Sequence, residues 1–143
     1  MQNKPETYKI YTDGGARGNP GPAAIGVVVH TPEGQILKFS KFIGIATNNI
    51  AEYKAVLLAL NWIVANQANM NKPLALFLDS QLVARQLNGK YKVKNQELAA
   101  VFTKIKIMEK NLKHKIYYHE IPRTLNKIAD HLVNTSLNLH ARQ

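Results

Sequence analysis

Ala23 to His30 is a near-continuous apolar run that reads as a strand, and on either side of it, in Tyr8 to Thr12 and Gln35 to Ile43, apolar and polar residues alternate with a period of two. That spacing sets one face of a strand against a core. Short links join the three, the second being Thr31-Pro32-Glu33-Gly34, so the pattern predicts an antiparallel meander. The period then lengthens. Ile50 to Asn66 is rich in alanine and leucine and reads as a long helix, with a polar strip so narrow (Lys54 and Asn61) that most of its circumference is expected to be buried. Leu74 to Leu78 is an unbroken apolar run between Pro73 and Asp79, as in a central strand buried on both faces.

Ser80 to Asn88 reads as a short helix closed by Gly89. Asn95 starts another, with apolar face Leu98, Val101, Phe102 and Ile105 and with Lys106, Lys110 and Lys113 on its other side. Lys115 to Ile121 is a further strand. Asn126 to Asn138 is a last helix with the stripe Ile128, Ala129, Leu132, Val133 and Leu137, and Leu139 to Gln143 read as a fraying end. Three strands, helix, strand, two helices, strand and helix make an α/β chain with a mixed sheet, expected to be one domain over residues 1–143.

Cysteine is absent, which excludes disulfides and thiolate metal sites. The polar stretch Met1 to Thr7 has no apolar core of signal-peptide length, and no later run is long and apolar enough to span a bilayer, so a soluble cytoplasmic monomer is expected. Nineteen Lys and Arg against nine Asp and Glu give a formal charge of +10, a bias toward polyanionic partners, nucleic acid above all.

Against that basic background the acids stand out. The three aspartates of the chain, Asp13, Asp79 and Asp130, and one glutamate, Glu52, all fall where a strand ends or a helix has just begun. Each has a structural explanation taken singly. Asp13 suits a turn into Gly14-Gly15, Glu52 a capping box with Asn49, Asp79 the cap of the helix at Ser80, and Asp130 the positive end of its own helix. Together they point elsewhere. Glu52 shares a helix face with Val56, Ala59 and Ile63, so it projects inward, and a buried acid needs a compensating partner. Asp13 and Asp79 follow strands expected to be neighbours, at the sheet edge where functional groups gather. An all-oxygen cluster suits Mg²⁺ or Mn²⁺, and two such ions about 4 Å apart support in-line phosphodiester hydrolysis.

The chain is similar to type 1 ribonuclease H over nearly its whole length. The likeness rests on YTDGGARGNPGPAAIGVVV at 11–29, TNNIAEYKAVLLAL at 47–60, LDSQLVARQL at 78–87 and NKIADHLVN at 126–134, each carrying its acid in order. The resemblance implies a five-stranded mixed sheet flanked by helices, and cleavage of the RNA strand of RNA/DNA hybrids with two Mg²⁺ ions, leaving 5′-phosphate and 3′-hydroxyl ends. It implies metal ligation by Asp13, Glu52, Asp79 and Asp130. It also implies hybrid contacts at Gly14, Gly15, Asn19, Thr47, Asn48, Asn49 and Gln81, residue types that allow close backbone approach or both donate and accept at 2′-hydroxyls.

Two departures qualify the likeness. The loop Pro122-Arg123-Thr124-Leu125-Asn126 has no histidine where many members place one, and Arg123 is a candidate phosphate contact there. The link from Gly89 to Asn95 is too short for the basic helix of larger members, leaving Lys90, Lys92 and Lys94 to grip the DNA strand. Other readings are a non-catalytic nucleic-acid-binding module, a nuclease of this fold acting on double-stranded RNA or DNA junctions, and a nucleotide-binding loop at Gly15, Gly18 and Gly21.

Overall fold

β1 (Tyr8–Ala16), β2 (Gly21–His30) and β3 (Ile36–Ala46) form the antiparallel meander that the alternation predicts. β4 (Leu74–Leu78) then pairs parallel to β1, and β5 (Ile116–Glu120) parallel to β4. The sheet order is β3-β2-β1-β4-β5. These coordinates are a computed structural model describing residues 7–142; Met1 to Glu6 of the polar N-terminal stretch, and Gln143, lie outside the described residues. Among the described residues no helix is long and apolar enough to cross a membrane.

Four helices follow the predicted order: α1 (Asn48–Asn66), α2 (Gln81–Leu87), α3 (Gln96–Lys110) and α4 (Lys127–Ala141). One face of the sheet packs on α1 and α3 through Ile10, Val27, Val29, Leu76 and Leu78 against Tyr53, Val56, Leu60, Ile63 and Ile105. α4 covers part of the opposite face, with Val133 and Leu137 on Ala24. Burying this apolar area supplies the main drive to fold.

Several boundaries depart from the reading of the sequence. β1 does not stop at Asp13 but runs on through Gly14 and Gly15, still paired with Ile25 and Ala24 of β2. Its parallel pairing with β4 ends at Tyr11 and Phe77, so Asp13 still lies just past the carboxyl end of the parallel pair. Gly15, Gly18 and Gly21 therefore belong to a hairpin leading into a strand, which rules out a phosphate loop opening a helix. The α1 cap is Thr47, whose Oγ1 accepts from Ile50 N–H at 3.2 Å, so Asn49 and Glu52 form no capping box. Ser80, not Asp79, caps α2. α4 stays helical to Ala141, its end held by a stack of His140 on Phe42 (3.8 Å between centroids) and by Arg17 donating to Asn138 Oδ1 at 2.6 Å. Ile128 is exposed rather than part of the buried stripe. Lys106 leaves the basic side of α3, donating to the Leu87 carbonyl at the end of α2 and pairing with Glu109.

Candidate active site

Asp13 from β1, Glu52 from the first turns of α1 and Asp79 just beyond β4 meet at one end of the sheet, each offering a carboxylate oxygen within 4.8 Å of the others. Two glycines permit the approach. A Cβ on Gly14 would run into the backbone of Ala51 and Glu52, so only a bare α-carbon lets α1 lie against β1 and deliver Glu52 to Asp13. On the other side Gly26, the register partner of Asp13, would meet the Ala129 carbonyl at 2.7 Å if it carried a Cβ. It lets α4 settle on β2 and brings Asp130 to the same cavity. Asp130 lines that cavity but is exposed and stands outside the close trio.

Asn126, which the sequence suggested only as a helix start, is 1% exposed. Its Nδ2 donates to the Thr12 carbonyl at 2.8 Å and to Asp79 Oδ2 at 3.0 Å, and its carbonyl accepts the Asp130 N–H at 3.1 Å. One side chain thus ties β1, the end of β4 and the start of α4. Asn126→Ala is expected to weaken Mn²⁺ binding roughly ten- to hundredfold, the usual effect of losing a group that orients a ligand. Calorimetric titration checks this, and unchanged affinity would remove Asn126 from the site.

Burial pushes the Asp13 carboxyl up to about 7, helped by repulsion from Asp79 and, less, Asp130, while a hydrogen bond with Glu52 opposes the rise. Burial also drives Glu52 well above the carboxylate range, followed by repulsion from Asp13 and Asp79. Neither they nor Asp79 form an ion pair with a described residue, and Glu52 Oε2 is buried without a hydrogen-bond partner. Crowded, unneutralised oxygens, two of the three carboxylates buried, are the donor set of a hard divalent cation, and these residues fit one.

The surrounding cavity, about 580 Å³, brings together Gly14, Gly15, Asn48, Asn49, Gln81 and Arg123 from the predicted contacts, and adds Arg17, Ser80 and Asn134. Asn19 and Thr47 do not line it. Asn19 Oδ1 accepts the Asn48 N–H at 3.0 Å while Asn48 Oδ1 accepts the Ala16 N–H at 2.9 Å, clasping the β1–β2 hairpin to α1. Lys90, Lys92 and Lys94 are exposed and lie outside the cavity. Their loop is held on α2 by Gln86, which donates to the Lys92 carbonyl and accepts from the Tyr53 hydroxyl, and by Arg85, which bonds Tyr91. None of the five histidines lines the cavity.

The reverse transcriptase-like family model matches residues 11–136. Ribonuclease HI of Halobacterium salinarum is 36% identical over 129 residues, 90% of this chain and 63% of that protein. LC11-RNase H1, isolated from compost by a metagenomic approach and solved in complex with RNA/DNA hybrid, superposes with a TM-score of 0.87 at 40% identity, covering 94% of this chain and 99% of that one. The chain belongs to the type 1 ribonuclease H family. Its sheet and helices are the ribonuclease H fold, with no helix between α2 and α3. The bifunctional protein Rv2228c of Mycobacterium tuberculosis is 38% identical over 135 residues, and this chain spans 36% of its length.

Proposed function

We propose that this chain is a divalent-metal-dependent endoribonuclease that hydrolyses the RNA strand of RNA/DNA hybrids, leaving 5′-phosphate and 3′-hydroxyl ends. The observation that carries the reading is the close trio Asp13, Glu52 and Asp79, the first two buried and the third half-buried on a protein of formal charge +10, and neutralised by no basic side chain of the described residues. With Asp130 they would hold Mg²⁺, two ions with substrate in place, or Mn²⁺ in its stead. The chemistry such cations supply when bound is polarisation of a phosphoryl oxygen and activation of water at neutral pH.

The protein's own groups do the remainder. Arg123 and Arg17 sit in the cavity wall, where they draw a phosphate toward an otherwise acidic pocket. Gly14 and Gly15 line the cavity along which the RNA backbone would pass. Asn49 and Gln81 offer the mixed donors and acceptors that a 2′-hydroxyl and minor-groove edges require, and Asn48 and Asn19, whose carbonyl oxygens are held in the clasp, add donors, with Thr47 behind them. Lys90, Lys92 and Lys94 stand further out, suited to phosphates of the DNA strand. We read residues 1–143 as a single catalytic domain acting as a cytoplasmic monomer, one chain supplying all four acids.

End-labelled RNA/DNA hybrid, double-stranded RNA and a DNA junction, each incubated with Mg²⁺, Mn²⁺ or chelator, test the proposal. Internal cuts in the RNA of the hybrid, dependent on metal, are expected. Hybrid binding without cleavage in either metal would make the chain a binding module, and faster cutting of duplex RNA or the junction would reassign its substrate.

A further inference from the structure

The sheet face that carries Asp13 is only partly covered. α4 packs over β1, β2 and β3, and beyond it a row of rings crosses four strands. Tyr11, Phe77 and His119 are register partners on β1, β4 and β5. Tyr11 stacks on Phe77 (centroids 5.0 Å apart, 22° between planes) and Phe77 on His119 (5.1 Å, 25°), while His30 of β2 meets Tyr11 edge-on at 5.5 Å. One row back, Tyr117 is 50% exposed with the Lys115 ammonium 5.1 Å from its ring centre. The stack ends in the open: β5 is an edge strand, His119 is exposed, and among the described residues no ring follows it.

Charge favours one class of occupant. Lys9 shares the face of Tyr11, Lys115 covers Tyr117, and Lys127 lines a groove of about 300 Å³ between Tyr11, His30 and the start of α4. Apart from the acids of the candidate site, the described carboxylates lie elsewhere: Glu33 in the β2–β3 turn, Glu97 and Glu109 on α3, and Glu120 on the α2 side of β5, against Arg85. The Arg123–Leu125 turn separates this groove from the acidic cavity, with Arg123 on one side and Thr124 and Leu125 on the other. Tyr11 and Phe77 each precede an acid of the trio by two residues, Asp13 on the same strand and Asp79 just past the end of β4.

We propose that this face is a stacking platform for single-stranded nucleic acid, a base continuing the Tyr11–Phe77–His119 stack beyond His119 while Lys9 and Lys115 meet flanking phosphates. Rings that are sequence-tolerant beside lysines that track a backbone are what such strands require. The platform needs no metal and does not depend on the cleavage reading.

Binding of a short fluorescent oligodeoxythymidylate in chelator, followed by anisotropy, tests it. The double variant Tyr117→Ala/His119→Ala is expected to bind about tenfold more weakly with its melting temperature and its affinity for a blunt hybrid unchanged. Tyr117→Phe/His119→Phe retains binding, and Lys9→Gln/Lys115→Gln flattens the salt dependence. In the wild-type protein, amide chemical shifts on adding the oligonucleotide are expected to move at Lys9, Tyr117 and His119. Equal affinity of wild type and alanine variant, shifts confined to the acidic cavity, or a concentration-dependent dimer that the alanine variant abolishes would overturn the proposal, the last by assigning the face to a second copy of the chain.

Discussion

Asp13→Asn is expected to lower hybrid cleavage by about a hundredfold or more while raising the melting temperature of the metal-free protein. The two effects share one cause. Asp13 is 7% exposed, among Glu52 and Asp79 with no basic partner of the described residues, so its charge is unfavourable until a cation arrives. Asparagine keeps the shape and one oxygen but removes the charge, relieving repulsion in the empty site and weakening the filled one. Thermal melts with and without Mn²⁺ should show a smaller metal-induced rise for the variant. A variant that cuts the hybrid at the wild-type rate would sink the assignment of Asp13.

The second large effect is in the dependence of stability on pH. Folding lifts Asp13 from 3.8 to about 7 and moves Glu52 the same way, so in that window the folded chain binds more protons than the unfolded one. Stability of the metal-free protein should therefore fall as pH rises, the part due to Asp13 being lost as pH passes through about 7 and that due to Glu52 being lost in the same direction. The loss is on the order of 2 to 4 kcal/mol, several degrees in melting temperature for a chain of this length. Excess Mn²⁺ should flatten the slope by occupying the deprotonated site. A melting temperature in chelator that is level or rising across the window would show that the carboxyls are not coupled in this way.

The elements were readable because their periods are clean. Leu74 to Leu78 is the central strand its composition suggests, although only Leu74, Leu76 and Leu78 are buried and Ala75 and Phe77 lie half-buried on the other face, and Val56, Ala59 and Ile63 fix the inward face that Glu52 shares. What escaped is tertiary. Gly14 reads as a turn because glycine usually marks one, yet here it continues a strand so that a helix may lie against it. Gly26 sits in a valine-rich run with nothing to signal a helix above it. Asn126 carries no motif, since its partners Thr12 and Asp79 are remote in sequence. The lysines at 90, 92 and 94 have the right chemistry in an extended loop, but hydrogen bonds from Gln86 and Arg85, invisible to periodicity, hold that loop away from the cavity.

The clasp between Asn19 and Asn48 carries a consequence for recognition. Their carbonyl oxygens are committed to backbone N–H groups of the hairpin and the helix, while both side-chain NH₂ groups are left without a described partner. The amides are thus locked in one orientation, presenting donors rather than acceptors. Such a surface is preorganised: its rotamers are ordered when the chain folds, and no further ordering is required at each encounter. It should therefore distinguish ligands by whether they offer an acceptor at that spot, and loosening the clasp with Asn19→Ala should cost discrimination before it costs stability.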